Sequence, residues 1–205
     1  MNTDYNENEV SELIWLWEQT LLEDTASFKK IHDILFDGLY LYALKLLEQE
    51  DLANDAVQDL FIKMWTKRKS VGEIQKVKSY FFTALRRQIL NQLRDLKLRN
   101  LKIKLLHQTD IEFSQEEILV KKEEDAHLQR QILEILNGLP KRQKEVIYLH
   151  FFENLDYEQI ARIMKVNYQS VLNLKQKAIQ KMRSGKVFSW FLFFLFNFIY
   201  TKNNF

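Results

Sequence analysis

From Val10 to Arg183 apolar residues recur at spacings of three and four, and almost nothing interrupts them, because 205 residues include only 4 Gly and 1 Pro. A sustained 3.6-residue period with so few breakers predicts an all-α fold. The same scarcity argues against Gly-rich phosphate loops, and the lack of Cys against disulfide frameworks and thiolate metal sites. The 4 His are scattered, so neither metal nor cofactor chemistry is expected. With 46% apolar residues the chain can bury the core of one or two domains.

The periodicity divides into elements. Leu13, Leu16 and Trp17 mark a short first helix, and Phe28, Ile31, Leu35, Leu39, Tyr42 and Leu46 a longer second one. A third spans Glu50 to Thr66, with Leu52, Ala56, Leu60 and Met64 on one stripe and Val57, Phe61 and Trp65 beside it. Residues 67–76 are predicted to form a loop on account of Ser70 and Gly72. A fourth helix is expected from Val77 to about Leu105. The polar, acidic stretch 106–125 has the character of a linker between domains. A second helical domain over 126–186 begins near Ala126, breaks at Asn137 and Gly138, and restarts at Pro140.

Charge is segregated along this framework although the net is only +2. Residues 1–60 carry 3 Lys/Arg against 14 Asp/Glu, and residues 61–105 carry 13 against 2. Residues 106–137 carry 3 against 8, and residues 138–186 carry 10 against 4. Two separated basic blocks point to two contacts with a polyanion, and the acidic blocks to a different partner.

In the second basic block, Asp156 to Met164 forms a compact amphipathic helix. After Lys165, Val166 and Asn167 another helix runs from Tyr168 to Arg183, the layout of a helix-turn-helix with Asn167 as N-cap. Val171, Leu174, Ala178 and Met182 form its inward stripe, leaving Gln169, Asn173, Lys175, Gln176, Lys177, Lys181 and Arg183 nearer solvent. Asn and Gln can read adenine, and Lys can neutralise phosphate. In the first basic block, Tyr80, Phe81 and Phe82 precede Arg86, Arg87, Asn91 and Arg94. Rings stack on exposed bases while guanidinium groups hold the backbone, which suits opened nucleic acid. A Phe at helical spacing is more often core, so one or two of these rings at most are expected to face a ligand.

The ordered set DLANDAVQDLFIKMW (51–65), SYFFTALRRQILNQLR (79–94) and LPKRQKEVIYLHFFENLDYEQIARIMKVNYQSVLNLKQKAIQKMR (139–183) resembles the extracytoplasmic-function group of bacterial sigma factors, in the sigma-70 family. The resemblance spans about residues 10–184 and implies two helical domains, 10–105 and 126–186, the second containing the helix-turn-helix. It implies a non-enzymatic subunit that directs core RNA polymerase to promoters and assists their opening. Asp51, Asp55, Gln58 and Asp59 would dock on the polymerase clamp helices, with Phe61 and Trp65 packing behind them. Tyr80, Arg86, Arg87, Asn91 and Arg94 would meet the non-template strand. Tyr168, Gln169, Ser170, Asn173 and Lys177 would lie near the groove of the farther upstream promoter element. An inhibitory anti-sigma factor is a further implied partner.

The spacing of Asp51, Asp55 and Asp59 is independently informative, because like charges at i, i+4 and i+8 cost helix stability unless something outside uses them. A metal-dependent nuclease built on them would need carboxylates converging from several elements.

Two features depart from the family pattern. Leu172 stands where members usually carry a basic or polar residue, and Lys175 where an apolar one usually packs. Residues 187–205 form an aromatic-rich tail whose uncharged run, 187–201, spans about 22 Å as a helix, short of the roughly 30 Å hydrocarbon core. One reading is weak membrane association, with Trp190 and Tyr200 at headgroup level; the other is packing on the protein or on a partner. The acidic, polar N-terminus carries no secretion pattern, so the expected compartment is the cytoplasm. The rival function is a stand-alone helix-turn-helix regulator; a membrane-associated interaction protein is a third, motivated by the tail.

Overall fold

The computed structural model describes residues 3–98, 111–114 and 126–183, and all regular structure among them is helical. The chain divides into two compact units, Met1–Thr109 and Asp110–Phe205. The described helices of the first are α1 (Thr3–Leu21), α2 (Thr25–Leu47), α3 (Glu50–Val71) and α4 (Val77–Leu98). Those of the second are α5 (Ala126–Asn137), α6 (Lys141–Ile147), α7 (Tyr157–Met164) and α8 (Tyr168–Arg183), with a π-helical turn over Tyr148–Phe152 between α6 and α7.

In the first unit α2 packs against α1, α3 and α4. Its predicted stripe is buried from Ile31 to Leu46, and only Phe28 stays partly exposed. Trp17, Tyr42, Phe81 and Phe82 are fully enclosed, with the Trp17 and Phe81 rings edge to face at 6.0 Å. Asp24 starts α2 by accepting the Ala26 and Ser27 N–H groups at 3.0 and 3.2 Å.

The expected loop 67–76 is shorter than the sequence suggests, because α3 continues to Val71. Arg68 stabilises the added turn, its guanidinium 4.1 Å over the Trp65 ring and 3.2 Å from Glu23. Gly72 then ends the helix at φ 70° and ψ −154°, a conformation essentially confined to glycine, and its carbonyl accepts the Trp17 indole N–H at 2.8 Å.

In the second unit the stretch Ile111–Ser114 lies against the helices. Asn137 clamps it, accepting the Phe113 N–H at 2.8 Å and donating to the Phe113 carbonyl at 3.0 Å. Ile111 and Phe113 are buried, so two apolar anchors of the acidic stretch belong to this core. Pro140 occupies the cap position just before α6. The remainder of the acidic stretch, the end of the fourth helix beyond Leu98 and the aromatic tail lie outside the described residues. Among the described residues no helix is long and apolar enough to cross a membrane.

The helix-turn-helix is assembled by caps. Asp156 and Gln159 close a capping box at the start of α7, Asp156 Oδ1 accepting the Gln159 N–H at 2.7 Å and Gln159 Oε1 the Asp156 N–H at 2.8 Å. Lys165 ends α7 in the left-handed region at φ 52°. Asn167 opens α8, its Oδ1 accepting the Ser170 N–H at 2.7 Å.

Candidate functional site

The stripe that buries Ala56, Leu60 and Met64 turns the opposite side of α3 to solvent, and Asp51, Asp55, Gln58 and Asp59 are all exposed there. At 100° per residue they fall within an arc of about 100°. Ile62 lies inside that arc and is 61% exposed. Its residue type suggests core, which hides it from sequence reasoning; the signal that could have found it is that it lies off both apolar stripes of α3. Asp59 has Lys63 at 3.6 Å, whereas Asp51 and Asp55 have no ion-pair partner among the described residues. Phe61 is buried against Phe28, His32 and Phe81, and Trp65 is half-buried on Phe28. These two rings support the face from within.

Gln88 joins this helix to the next one, donating to the Ala56 carbonyl at 2.9 Å and accepting from Lys63 Nζ at 2.8 Å. On α4, Phe81, Phe82, Leu85 and Ile89 are buried, and Tyr80 remains 40% exposed. Tyr80, Arg87, Asn91 and Arg94 share an arc of about 60°, extended over about 21 Å of helix. Arg94 donates to Asn91 Oδ1 at 3.1 Å. Arg86 is half-buried and stands about 100° away on the flank, so four of the five candidates form one row and the fifth does not join it.

On α8, Gln169, Asn173 and Lys177 form an exposed row at i, i+4 and i+8, with Gln169 Nε2 donating to Asn173 Oδ1 at 3.1 Å. Tyr168 is 48% exposed at the flank. Ser170 is half-buried, and its backbone N–H serves the Asn167 cap. Lys175 is half-buried and donates to the Tyr157 hydroxyl. Among the described residues no group of three or more His, Asp or Glu could hold a metal ion.

Residues 37–99 match the family Sigma-70 region 2, and residues 129–182 match Sigma-70, region 4. The RNA polymerase sigma factor SigV of Bacillus subtilis is 33% identical over 144 residues, which cover 70% of this chain and 81% of SigV. The chain belongs to the sigma-70 family.

It is an RNA polymerase sigma factor of the extracytoplasmic-function group, and the ECF sigma factor SigM of the same bacterium is 25% identical over 70% of this chain and 86% of its own length. Two solved structures share the fold of this sigma factor. CnrH, in complex with the cytosolic domain of CnrY, covers 84% of the chain with 96% of its own at TM-score 0.57 and 15% identity. RpoE of Bartonella quintana, in complex with the anti-sigma factor NepR, covers 77% with 94% at TM-score 0.53 and 22% identity. The region 2 match takes in the acidic face of α3 and the basic row of α4, and the region 4 match the row on α8.

Proposed function

We propose that this sigma factor docks on core RNA polymerase through Asp51, Asp55, Gln58 and Asp59 of α3, with Ile62 as the apolar centre of the contact. The observation that carries the reading is the exposed like-charge stack of Asp51, Asp55 and Asp59, whose mutual repulsion is relieved by a basic partner. Phe61 and Trp65 hold the helix in place from behind. The chain itself is not an enzyme in this reading; catalysis belongs to the polymerase.

Tyr80, Arg87, Asn91 and Arg94 then receive the opened non-template strand, the ring offering a stacking face and the guanidinium groups engaging phosphates. Arg86 contributes from the flank. Gln169, Asn173 and Lys177 enter the groove of the upstream element, Tyr168 and Ser170 bordering the contact. The complex of RpoE with the anti-sigma factor NepR supports an inhibitory partner of that kind for this chain as well.

The test is co-elution of the purified protein with sigma-free core polymerase. The wild type comigrates, and an Asp55→Arg, Gln58→Ala double substitution abolishes comigration. Failure of the wild type to comigrate at any salt concentration, together with stable binding of duplex DNA by the protein alone, would transfer the assignment to a stand-alone regulator.

A further inference from the structure

Lys175 sits on α8 about 160° around the helix from the middle of the Gln169, Asn173 and Lys177 row. Its ammonium donates to the hydroxyl of Tyr157, the first residue of α7, and lies 4.7 Å above that ring. The same hydroxyl is 2.9 Å from His150 Nε2 in the π-helical turn, and His150 Nδ1 is 3.0 Å from the Leu155 carbonyl. With the imidazole neutral, the ends of this chain of bonds fix its direction, since an ammonium only donates and a carbonyl only accepts. Lys175 therefore donates to Tyr157, Tyr157 to His150 Nε2, and His150 Nδ1–H to Leu155. Of the two neutral tautomers, only the Nδ1–H form satisfies both contacts.

The surroundings favour that form. Burial, with the nearby Lys175 charge, pushes the imidazole below its ordinary value, against the opposing pull of the Leu155 carbonyl and Asp156. The Tyr157 ring lies 4.5 Å and the Phe151 ring 4.7 Å from the imidazole. An apolar residue at position 175 would hold α8 by packing that has little directional preference, whereas these three oriented bonds link α8, α7 and the π-helical turn.

We propose that Lys175 is a positioning residue for promoter recognition, fixing the rotation of α8 about its axis through Tyr157 and His150, and makes no phosphate contact of its own. The proposal rests on the reading of α8 as the DNA-facing helix. Protonation of His150 would turn Nε2 into a donor, bringing two cations onto one hydroxyl oxygen and displacing the Tyr157 proton, so the linkage weakens and the row of Gln169, Asn173 and Lys177 loses its fixed orientation.

Salt dependence separates positioning from phosphate binding, because removing one phosphate-bound cation lowers the slope of log K against log salt by about 1. The probe is a duplex enriched from a random-sequence pool by the reconstituted holoenzyme, titrated across a KCl series. Lys177→Met is expected to weaken binding and reduce the slope by about 1. Lys175→Met and Tyr157→Phe are each expected to weaken binding about 3- to 10-fold with the slope unchanged, and the double variant no further, as for residues acting in one network.

Nitrogen chemical shifts of the His150 ring in the unmodified full-length protein are expected to report the Nδ1–H form. A slope reduced by about 1 in Lys175→Met with Tyr157→Phe silent, or a ring in the Nε2–H form, would overturn the proposal. If Lys177→Met is silent as well, the DNA-facing reading of α8 falls and the proposal with it.

Discussion

The first unit is built from helices of 19 to 23 residues, the second from helices of 7 to 16. Their interiors differ accordingly. Among the described residues, the buried polar side chains of the first are the small hydroxyls of Thr20, Ser27 and Ser79, whereas the second encloses Lys144, Glu145, Glu153 and Gln159. Long helices bury enough apolar surface to hold together by packing, and their outer faces are left to charge. Helices of two turns are unstable alone, so caps and polar pairs contribute to their fold. Consequently the charges on α3 can change with little effect on folding, while polar side chains around α8, such as Tyr157 and Lys175, take part in holding the fold itself.

The largest effect is expected where packing dominates. Phe81 is fully buried between Trp17 and Phe61, and Phe81→Ala should destabilise the first unit by about 3–5 kcal/mol. In urea, followed by hydrogen exchange assigned to each unit, the first transition should move and the second stay. Equal movement of both would break the comparison, since it would make the units one cooperative body. Next comes Gly72→Ala, expected to cost about 1–3 kcal/mol through backbone strain alone, because a Cβ there meets nothing within 4 Å. Its effect too belongs in the first transition.

What was legible in the sequence follows the same division. Apolar periodicity marks the helices of the first unit because packing determines them; it falls short at α1, expected to be short but 19 residues long from Thr3, and at residues 67–71, where Arg68 on Trp65 extends α3 past polar residues. The Asn167 cap is legible because its chemistry is local. Ile111 and Phe113 stand in a polar stretch, and the backbone of Phe113 is held in the core by Asn137, 24 residues away. Among the site residues, the common row of Tyr80, Arg87, Asn91 and Arg94 follows from helical geometry, as does the flanking place of Arg86. The hold of Tyr157 on Lys175 joins residues 18 apart on two helices, and neither residue type announces it.

In the second unit, Asp156→Ala removes the side chain that caps α7 and should cost about 0.5–2 kcal/mol, confined to the second transition. An equal loss in the first unit would again contradict separate stabilisation.

The smallest effect is acid, and it should reach the second unit first. His150 is held below its ordinary value of 6.5, chiefly by burial, so below that value the unfolded chain takes up a proton more readily than the folded one. The stability this contributes is complete above pH 6.5 and is lost as the pH falls through the depressed folded value. In the first unit Glu23 is lowered from 4.5, first by its hydrogen bond from Lys69, and Asp24 from 3.8, first by that from Ser27. Their contributions persist until the pH falls below those values. Urea midpoints compared at pH 7 and pH 5 should therefore drop for the second unit and hold for the first, and His150→Gln should remove most of the drop. A first unit that weakens as much over the same interval would break the comparison.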